Sequence, residues 1–142
     1  MPSMCHARLR VLITDDNQPM RRMIRTVVDD LPVDLFEAAD GEQSLQSYRE
    51  HHPDLVLMDL AMPRMDGLQA TREMVLAFPG ARVIIVTQQD HAALREAARK
   101  AGALGYVLKE NLNQVREFII RINDSLRVAT RDSSEAAGQL PA

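Results

Sequence analysis

Five short runs rich in Val, Ile and Leu recur along the 142-residue chain, and segments with the periodicity of helices separate them. The runs occupy residues 8–14, 33–38, 54–59, 82–87 and 105–109. Their length and their β-branched residues predict strands. The second run alternates apolar and polar residues, as a half-buried edge strand does, whereas the third and fourth are nearly continuous, as in central parallel strands. Strands that alternate with helices predict βαβ units.

Three segments carry an apolar stripe at helical spacing. The first stripe consists of Met20, Met23, Ile24, Val27, Val28 and Leu31, and it stops at Pro32. The second follows Asp66, a predicted helix cap, and consists of Leu68, Thr71, Val75 and Phe78. The third consists of Leu112, Val115, Phe118, Ile119, Ile122 and Leu126. Weaker patterns at about 41–51 and 90–101 predict two more helices.

The expected fold is a doubly wound α/β domain with five parallel strands and right-handed crossovers. We expect one domain over residues 8–126, because a chain of this length can bury a single core without further support. Residues 127–142 are polar and have no apolar period, which predicts a flexible C-terminal tail or linker.

Composition and charge exclude several classes of protein. The formal net charge of −3 argues against direct contact with nucleic acid, because such domains usually present a basic surface to phosphates. No apolar run approaches the roughly 20 residues that a membrane span requires. The N-terminal residues lack the pattern of a secretory signal, so we expect a cytoplasmic protein without membrane contact.

Polar residues end four of the five predicted strands. Asp15 and Asp16 follow the first strand, and Asp59, Thr87 and Lys109 end the third, fourth and fifth. The carboxyl ends of parallel strands lie along one edge of the sheet, where α/β domains bind their ligands. One such residue alone would be a cap or a turn former, but the set as a whole predicts a site.

Three carboxylates close together repel one another by roughly 4 kcal/mol per pair at 4 Å if the effective dielectric constant is about 20. A divalent cation removes this cost, and Mg²⁺ suits an open site with oxygen ligands. Lys109 would add a positive charge and Thr87 a hydroxyl donor. This arrangement suits a phosphoryl group, with Asp59 as the nucleophile at the end of a rigid strand.

The motifs at these strand ends resemble those of the response regulator receiver domain of two-component signalling. They are "DD" after the first strand, "MDLAMPRMDG" around the third, "VT" at the fourth and "GYVLK" at the fifth. The resemblance covers about residues 8–126 and implies a flavodoxin-like sheet of strand order 2-1-3-4-5 with five helices. The residues of the segments "MPRMDGLQATREM" and "LGYVLKE" are more similar to those of receivers fused to helix-turn-helix domains than to those of the chemotaxis type.

The resemblance assigns a role to each polar strand end. Asp59 matches the phosphoryl acceptor, and Lys109 matches the lysine that binds the phosphoryl oxygens. Asp16 matches a direct Mg²⁺ ligand, and Asp15 an acidic partner that often acts through water. The backbone carbonyl of Ala61 matches the remaining protein ligand.

Thr87 and Tyr106 match the switch pair, in which the hydroxyl moves onto the phosphoryl group and the aromatic ring turns inward. The implied partners are a sensor histidine kinase or histidine phosphotransfer protein, which donates the phosphoryl group, and a downstream protein or output domain. A homodimer that forms on phosphorylation is a further expectation. The implied chemistry is limited to the chain's own phosphoryl transfer and autodephosphorylation, so we do not expect an enzyme in the ordinary sense.

Two residues depart from the family pattern. Glu110 stands where a proline in a cis peptide bond commonly follows the lysine, and we expect a trans bond because a cis bond without proline costs about 2.5–4 kcal/mol. Gln88 stands where a small residue commonly follows the switch threonine, and it could narrow access to the phosphoryl site.

Other classes of protein fit the sequence less well. A flavin or nucleotide binder would need a phosphate loop after the first strand, where two carboxylates stand instead. A phosphatase resembling the haloacid dehalogenase group would need a second Asp at the position of Ala61. The alternative that remains open is a receiver-like docking module that is not phosphorylated.

Overall fold

The structure is a computed structural model that describes the backbone of residues 8–139 and the side chains of residues 8–127. Five strands alternate with five helices, as the periodicity predicts. The strands are β1 (Leu9–Thr14), β2 (Val33–Ala38), β3 (Leu55–Met58), β4 (Val83–Thr87) and β5 (Gly105–Leu108). The helices are α1 (Gln18–Val28), α2 (Gly41–His51), α3 (Gly67–Ala77), α4 (Ala92–Ala101) and α5 (Asn113–Gln139), and a short 3₁₀ helix (Lys109–Asn111) follows β5.

The five strands form one parallel sheet in the order β2-β1-β3-β4-β5, so the predicted topology is confirmed. Every residue of β3 and β4 is buried, as the continuous apolar runs indicate. Strand β2 lies at the edge of the sheet and is only partly buried, which confirms the interpretation of its alternating pattern.

Helices cover both faces of the sheet and create two apolar cores. One core joins the strands to Ile24 of α1 and to Val115 and Ile119 of α5. The other joins them to Leu45 of α2 and Met74 of α3, together with residues of α4. Because the sheet is enclosed from both sides, the loops after its strands are left free at one edge to form a site.

Helix α1 is shorter than its apolar stripe. It ends at Val28, and the N–H of Leu31 donates to the carbonyl of Val28 in a turn that precedes Pro32. A residue before proline is disfavoured in the helical conformation, so the helix is not expected to continue through Leu31. Met23, which belongs to the predicted stripe, has 52% of its surface exposed and lies at the border of the buried face.

Helix α5 is longer than predicted and continues to Gln139, through most of the segment 127–142 that we expected to be a flexible tail. At about 1.5 Å per residue its 27 residues span about 40 Å. The segment has no proline before Pro141, so none of its earlier residues lacks the N–H that a helix requires. Residues 140–142 lie outside the described part of the chain, and the domain boundary at residue 126 stays a prediction.

Candidate functional site

The four polar strand ends lie at one edge of the sheet. Asp15 follows β1 and Asp59 follows β3, and the N–H of Asp59 donates to the carbonyl of Thr14 over 2.9 Å. Thr87 is the last residue of β4, and Lys109 follows the last residue of β5. Because parallel pairing aligns the strands, residues that are far apart in the sequence meet at this edge.

Three carboxylates cluster there. One oxygen atom each from Asp15, Asp16 and Asp59 can be chosen so that all three lie within 4.8 Å of one another. Asp15 is 2% exposed and Asp59 is 4% exposed, whereas Asp16 is open to solvent. Hard oxygen donors around an open position are the ligand set that Mg²⁺ prefers, so these residues could hold that ion.

Lys109 bridges the two buried carboxylates. Its Nζ lies 2.8 Å from Oδ2 of Asp15 and 3.2 Å from Oδ1 of Asp59. Burial lowers the pKa of Lys109, but the hydrogen bond to Asp15 and the charge of Asp59 raise it by more, so the pKa lies above its ordinary value. The lysine is therefore a fixed positive charge beside Asp59.

The environment disfavours the charged form of Asp59. Burial raises the pKa of its carboxyl, and the negative charge of Asp15 raises it further, against the opposing effect of Lys109. A charge that is partly removed from water and only partly compensated gains from a further cation. The site is therefore short of positive charge in the absence of a metal ion.

Asp15 is held at four atoms. Its N–H donates to the carbonyl of Ala38, and its carbonyl accepts from Arg21. Its Oδ1 accepts from the N–H of Asn17, and its Oδ2 contacts Lys109. Asp16, by contrast, has no hydrogen bond or ion pair with any residue that the structure describes, so its carboxylate is free to bind an ion.

The loop between β3 and α3 is built against Asp59. Asp66 caps α3 by accepting from the N–H of Gln69 over 2.9 Å, which confirms its predicted role. The N–H of Gly67 donates to the carbonyl of Leu60. A Cβ added to Gly67 would lie 2.0 Å from the carbonyl oxygen of Asp59, so only glycine fits here. The sequence interpretation missed this residue, although the Asp-Gly pair at the start of a helix was the available signal.

Gln89 links the two residues of the predicted switch pair. Its N–H donates to Oγ1 of Thr87 over 3.2 Å, and its carbonyl accepts from the hydroxyl of Tyr106 over 2.7 Å. The guanidinium of Arg95 lies 4.6 Å from the centre of the Tyr106 ring. Thr87 and Tyr106 are therefore bonded to two different backbone groups of the same residue, the N–H and the carbonyl of Gln89.

The two departures from the family pattern have visible consequences. The described chain contains no cis peptide bond, so the predicted trans bond between Lys109 and Glu110 is confirmed. Gln88 is exposed. Ala61, whose carbonyl is the predicted metal ligand, is also exposed, and this carbonyl accepts no hydrogen bond from the residues that the structure covers. Neither departure removes a charged group from the site.

No helix within the described part of the chain combines the length and the apolar character that crossing a membrane would require.

Comparison with known proteins identifies relatives of two kinds. The family model for the response regulator receiver domain matches residues 11–122. The chemotaxis protein CheY of Halobacterium salinarum is 37% identical over 100 residues, which are 70% of this chain and 83% of that protein. The uncharacterized transcriptional regulatory protein YhcZ of Bacillus subtilis is 38% identical over 105 residues, 72% of this chain but only 49% of that protein. The chain thus spans about half the length of this regulator.

Solved structures agree with this result. A two-component response regulator of the LuxR family from Aurantimonas sp. SI85-9A1 superimposes with a TM-score of 0.73 at 31% identity, over 80% of this chain and 86% of that chain. The chemotaxis protein CheY4 of Vibrio cholerae gives a TM-score of 0.76 at 22% identity, over 82% and 99% of the two chains, and shows likeness of fold alone. Since the family model matches residues 11–122, well over half of the chain, the chain belongs to the response regulator receiver domains of two-component signalling.

Proposed function

We propose that this chain is a signalling switch that a phosphoryl group activates. Asp59 accepts the group from a phosphohistidine on a sensor histidine kinase or histidine phosphotransfer protein, in a reaction that depends on Mg²⁺. One observation carries the proposal. Asp59 is buried at the end of the central strand β3, 3.2 Å from the ammonium group of Lys109 and beside the carboxylates of Asp15 and Asp16.

The chemistry needs little more than positioning and charge. A carboxylate oxygen of Asp59 forms a bond to phosphorus as the bond from phosphorus to the histidine nitrogen breaks, and the imidazole leaves with the electron pair. Lys109 then contacts a phosphoryl oxygen and neutralises part of its charge. A bound Mg²⁺ would neutralise the remaining negative charge of those oxygens.

The role that we propose for each of the two neighbouring aspartates depends on whether its carboxylate already has a partner in the protein. Asp16 would bind Mg²⁺ directly, because its carboxylate is exposed and has no other partner among the described residues. Asp15 would act through water, since both of its carboxylate oxygens already have a partner. Asp59 and the backbone carbonyl of Ala61 would complete the protein ligands, a set that suits an ion that keeps several waters.

Thr87 and Tyr106 would transmit the change. When the hydroxyl of Thr87 turns toward the phosphoryl group, its bond with the N–H of Gln89 is lost or redirected. The carbonyl of Gln89, which accepts from Tyr106, then shifts with its residue. The ring of Tyr106 changes position, and with it the surface that a partner contacts.

The output follows from the family. The partner of the phosphorylated domain is a downstream protein or an output domain, and a phosphorylation-dependent homodimer is one form that the response can take. This domain itself makes no contact with nucleic acid or membrane, and it acts in the cytoplasm. Its own catalysis is limited to phosphoryl transfer and autodephosphorylation. The alternative function, a docking module without phosphorylation, predicts the same fold but no covalent adduct.

Phosphorylation of the intact protein tests the proposal. We would incubate the chain with Mg²⁺ and acetyl phosphate and expect an adduct with the mass of one phosphoryl group. Asp59→Asn should abolish this adduct. Asp66→Asn is the matched control, because asparagine also caps helices, and it should be phosphorylated like the wild type. An undiminished adduct in Asp59→Asn would show that the acceptor is wrong, and no adduct in any form would favour the docking module.

A further inference from the structure

Arg21 connects the carboxylate cluster to the edge strand β2. The residue lies in the first turns of α1, and its side chain is only 15% exposed. Its guanidinium donates to the carbonyl oxygen of Asp15 over 2.6 Å and to a carboxylate oxygen of Glu37 over 2.7 Å. No motif of the sequence pointed to this residue.

Glu37 fixes the direction of that guanidinium. It lies in β2 and accepts from Arg21 through one oxygen and from Arg25 through the other. Burial raises the pKa of Glu37, but the hydrogen bonds from Arg25 and Arg21 lower it by more, so the carboxylate stays charged at neutral pH. Its single negative charge is shared by two guanidinium groups, so Glu37 orients Arg21 and compensates its charge only in part.

The carbonyl that Arg21 contacts belongs to the peptide unit between Asp15 and Asp16. Such a unit is planar, so the position of its oxygen also sets the direction of the N–H and the Cα atom of Asp16. The carboxylate of Asp16 has no hydrogen bond with the described residues, so no side-chain contact among them orients it. A bond that fixes this peptide plane fixes the N–H and the Cα atom from which the Asp16 side chain starts.

We infer that Arg21 is a positioning residue for the metal site: by holding the peptide unit between Asp15 and Asp16, it aims the Asp16 carboxylate at the ion. This inference rests on the proposed Mg²⁺-dependent function. It assigns Arg21 no contact with the ion or the phosphoryl group. Groups that orient metal ligands typically change metal affinity by about 10-fold to 100-fold when they are removed.

Direct metal binding to the unphosphorylated chain tests the inference. Mn²⁺ suits carboxylate ligands, and its free form is measured by electron paramagnetic resonance, so the dissociation constant needs no activity assay. We expect the Arg21→Met variant to raise this constant about 10-fold. The Arg25→Met variant also removes a partner of Glu37 but leaves the contact between Arg21 and Asp15 intact. Its dissociation constant for Mn²⁺ should stay within about 2-fold of the wild-type value.

Arg21→Lys separates position from charge. Lysine keeps the charge but not the planar fork that bonds two groups at once, so a positioning role predicts that affinity also falls in this variant. Wild-type affinity in Arg21→Lys, or equal losses in Arg21→Met and Arg25→Met, would overturn the inference. Should Arg21→Met prove unfolded by circular dichroism, the comparison of Arg21→Lys with Arg25→Met decides alone.

Phosphorylation by acetyl phosphate over a range of Mg²⁺ concentrations gives a second measurement. Arg21→Met should need about 10-fold more Mg²⁺ for half-maximal rate, while its rate at saturating Mg²⁺ approaches that of the wild type. A lower saturating rate with unchanged Mg²⁺ dependence would also contradict a positioning role. A wild-type protein that binds no metal and accepts no phosphoryl group would instead overturn the proposed function itself.

Discussion

The ammonium nitrogen of Lys109 lies 2.8 Å from a carboxylate oxygen of Asp15, closer than the 3.2 Å that separates it from Asp59. Lys109 thus compensates the negative charge of Asp15. The carboxylate of this residue also accepts from the N–H of Asn17, and its backbone carbonyl accepts from Arg21. Asp15 is an anchored part of the site, whereas Asp16 beside it is exposed and without a described partner. This division between the two neighbouring aspartates has direct consequences for metal binding.

Metal affinity should depend more on Asp16 than on Asp15. We expect Asp16→Asn to weaken Mg²⁺ binding by at least about 10-fold, because it removes a charged ligand that touches the ion. Asp15→Asn should lower the affinity for Mg²⁺ by a smaller factor, since asparagine can still accept the hydrogen bond from the N–H of Asn17. Calorimetric titration of both variants with Mg²⁺ measures the ranking, and equal losses or a greater loss at Asp15 would contradict it.

Gly67 should tolerate no side chain. Its added Cβ would lie 2.0 Å from the carbonyl oxygen of Asp59 and 2.8 Å from the carbonyl carbon, so Gly67→Ala must displace the backbone of the phosphoryl acceptor. We expect a loss of about 3 kcal/mol in the free energy of unfolding, together with slower phosphorylation.

Gly80→Ala is the control, because an added Cβ there meets nothing within 4 Å, and its effect should stay within about 0.5 kcal/mol. Denaturant unfolding of both variants gives the comparison. A stable Gly67→Ala that is phosphorylated at the wild-type rate would show that the β3–α3 loop is not constrained in this way.

The Glu37 carboxylate should make stability depend on pH in the acid range. Burial raises its pKa, but the hydrogen bonds from Arg25 and Arg21 lower it by more, so the net pKa lies below its ordinary value. A carboxyl with a lowered pKa contributes stability above its unfolded pKa, about 4.3, and loses that contribution as the pH falls through its folded pKa. Glu37→Gln should therefore be less stable than the wild type at pH 7, by about 1–2 kcal/mol.

The difference between wild type and Glu37→Gln should shrink as the pH falls from about 4.3 toward the lowered pKa of the folded protein, and it should vanish below that pKa, where both side chains are neutral. Glu73 on α3 is exposed and serves as the matched control, and Glu73→Gln should follow the wild type at every pH. Thermal unfolding across this range tests the sign. A difference that grows on acidification would contradict the ion pairs described here.

The phosphoryl group should be long-lived. In this family the side chains two places after the acceptor and two after the switch threonine flank the approach of water, and here they are Ala61 and Gln89. Alanine cannot orient a water molecule, and the side-chain amide of Gln89 can donate or accept a hydrogen bond but carries no charge, so neither residue supplies a general base. We expect Ala61→Asn to lose its phosphoryl group faster than the wild type, by up to about 10-fold. An unchanged or slower rate, measured by the decay of the phosphorylated form, would rule this out.

Local sequence patterns predicted most of the fold because the strand and helix periods are properties of the backbone. The continuous runs in β3 and β4 marked buried central strands, and the alternation in β2 marked an edge. The same patterns did not predict the full length of helix α5. Helix α5 continues to Gln139 through residues that are mostly polar and carry no apolar stripe, so the helical period gave no sign of its full length.

The sequence by itself determined that Asp15, Asp16, Asp59 and Lys109 lie together, since each follows a parallel strand and the carboxyl ends of such strands lie at one edge of the sheet. Only the tertiary structure decided how they are connected. That Lys109 contacts Asp15 more closely than Asp59, that Arg21 reaches the Asp15 carbonyl, and that Gly67 packs on Asp59 are distances between separate elements. They depend on strand register, loop path and side-chain direction, and no period along the chain records these quantities.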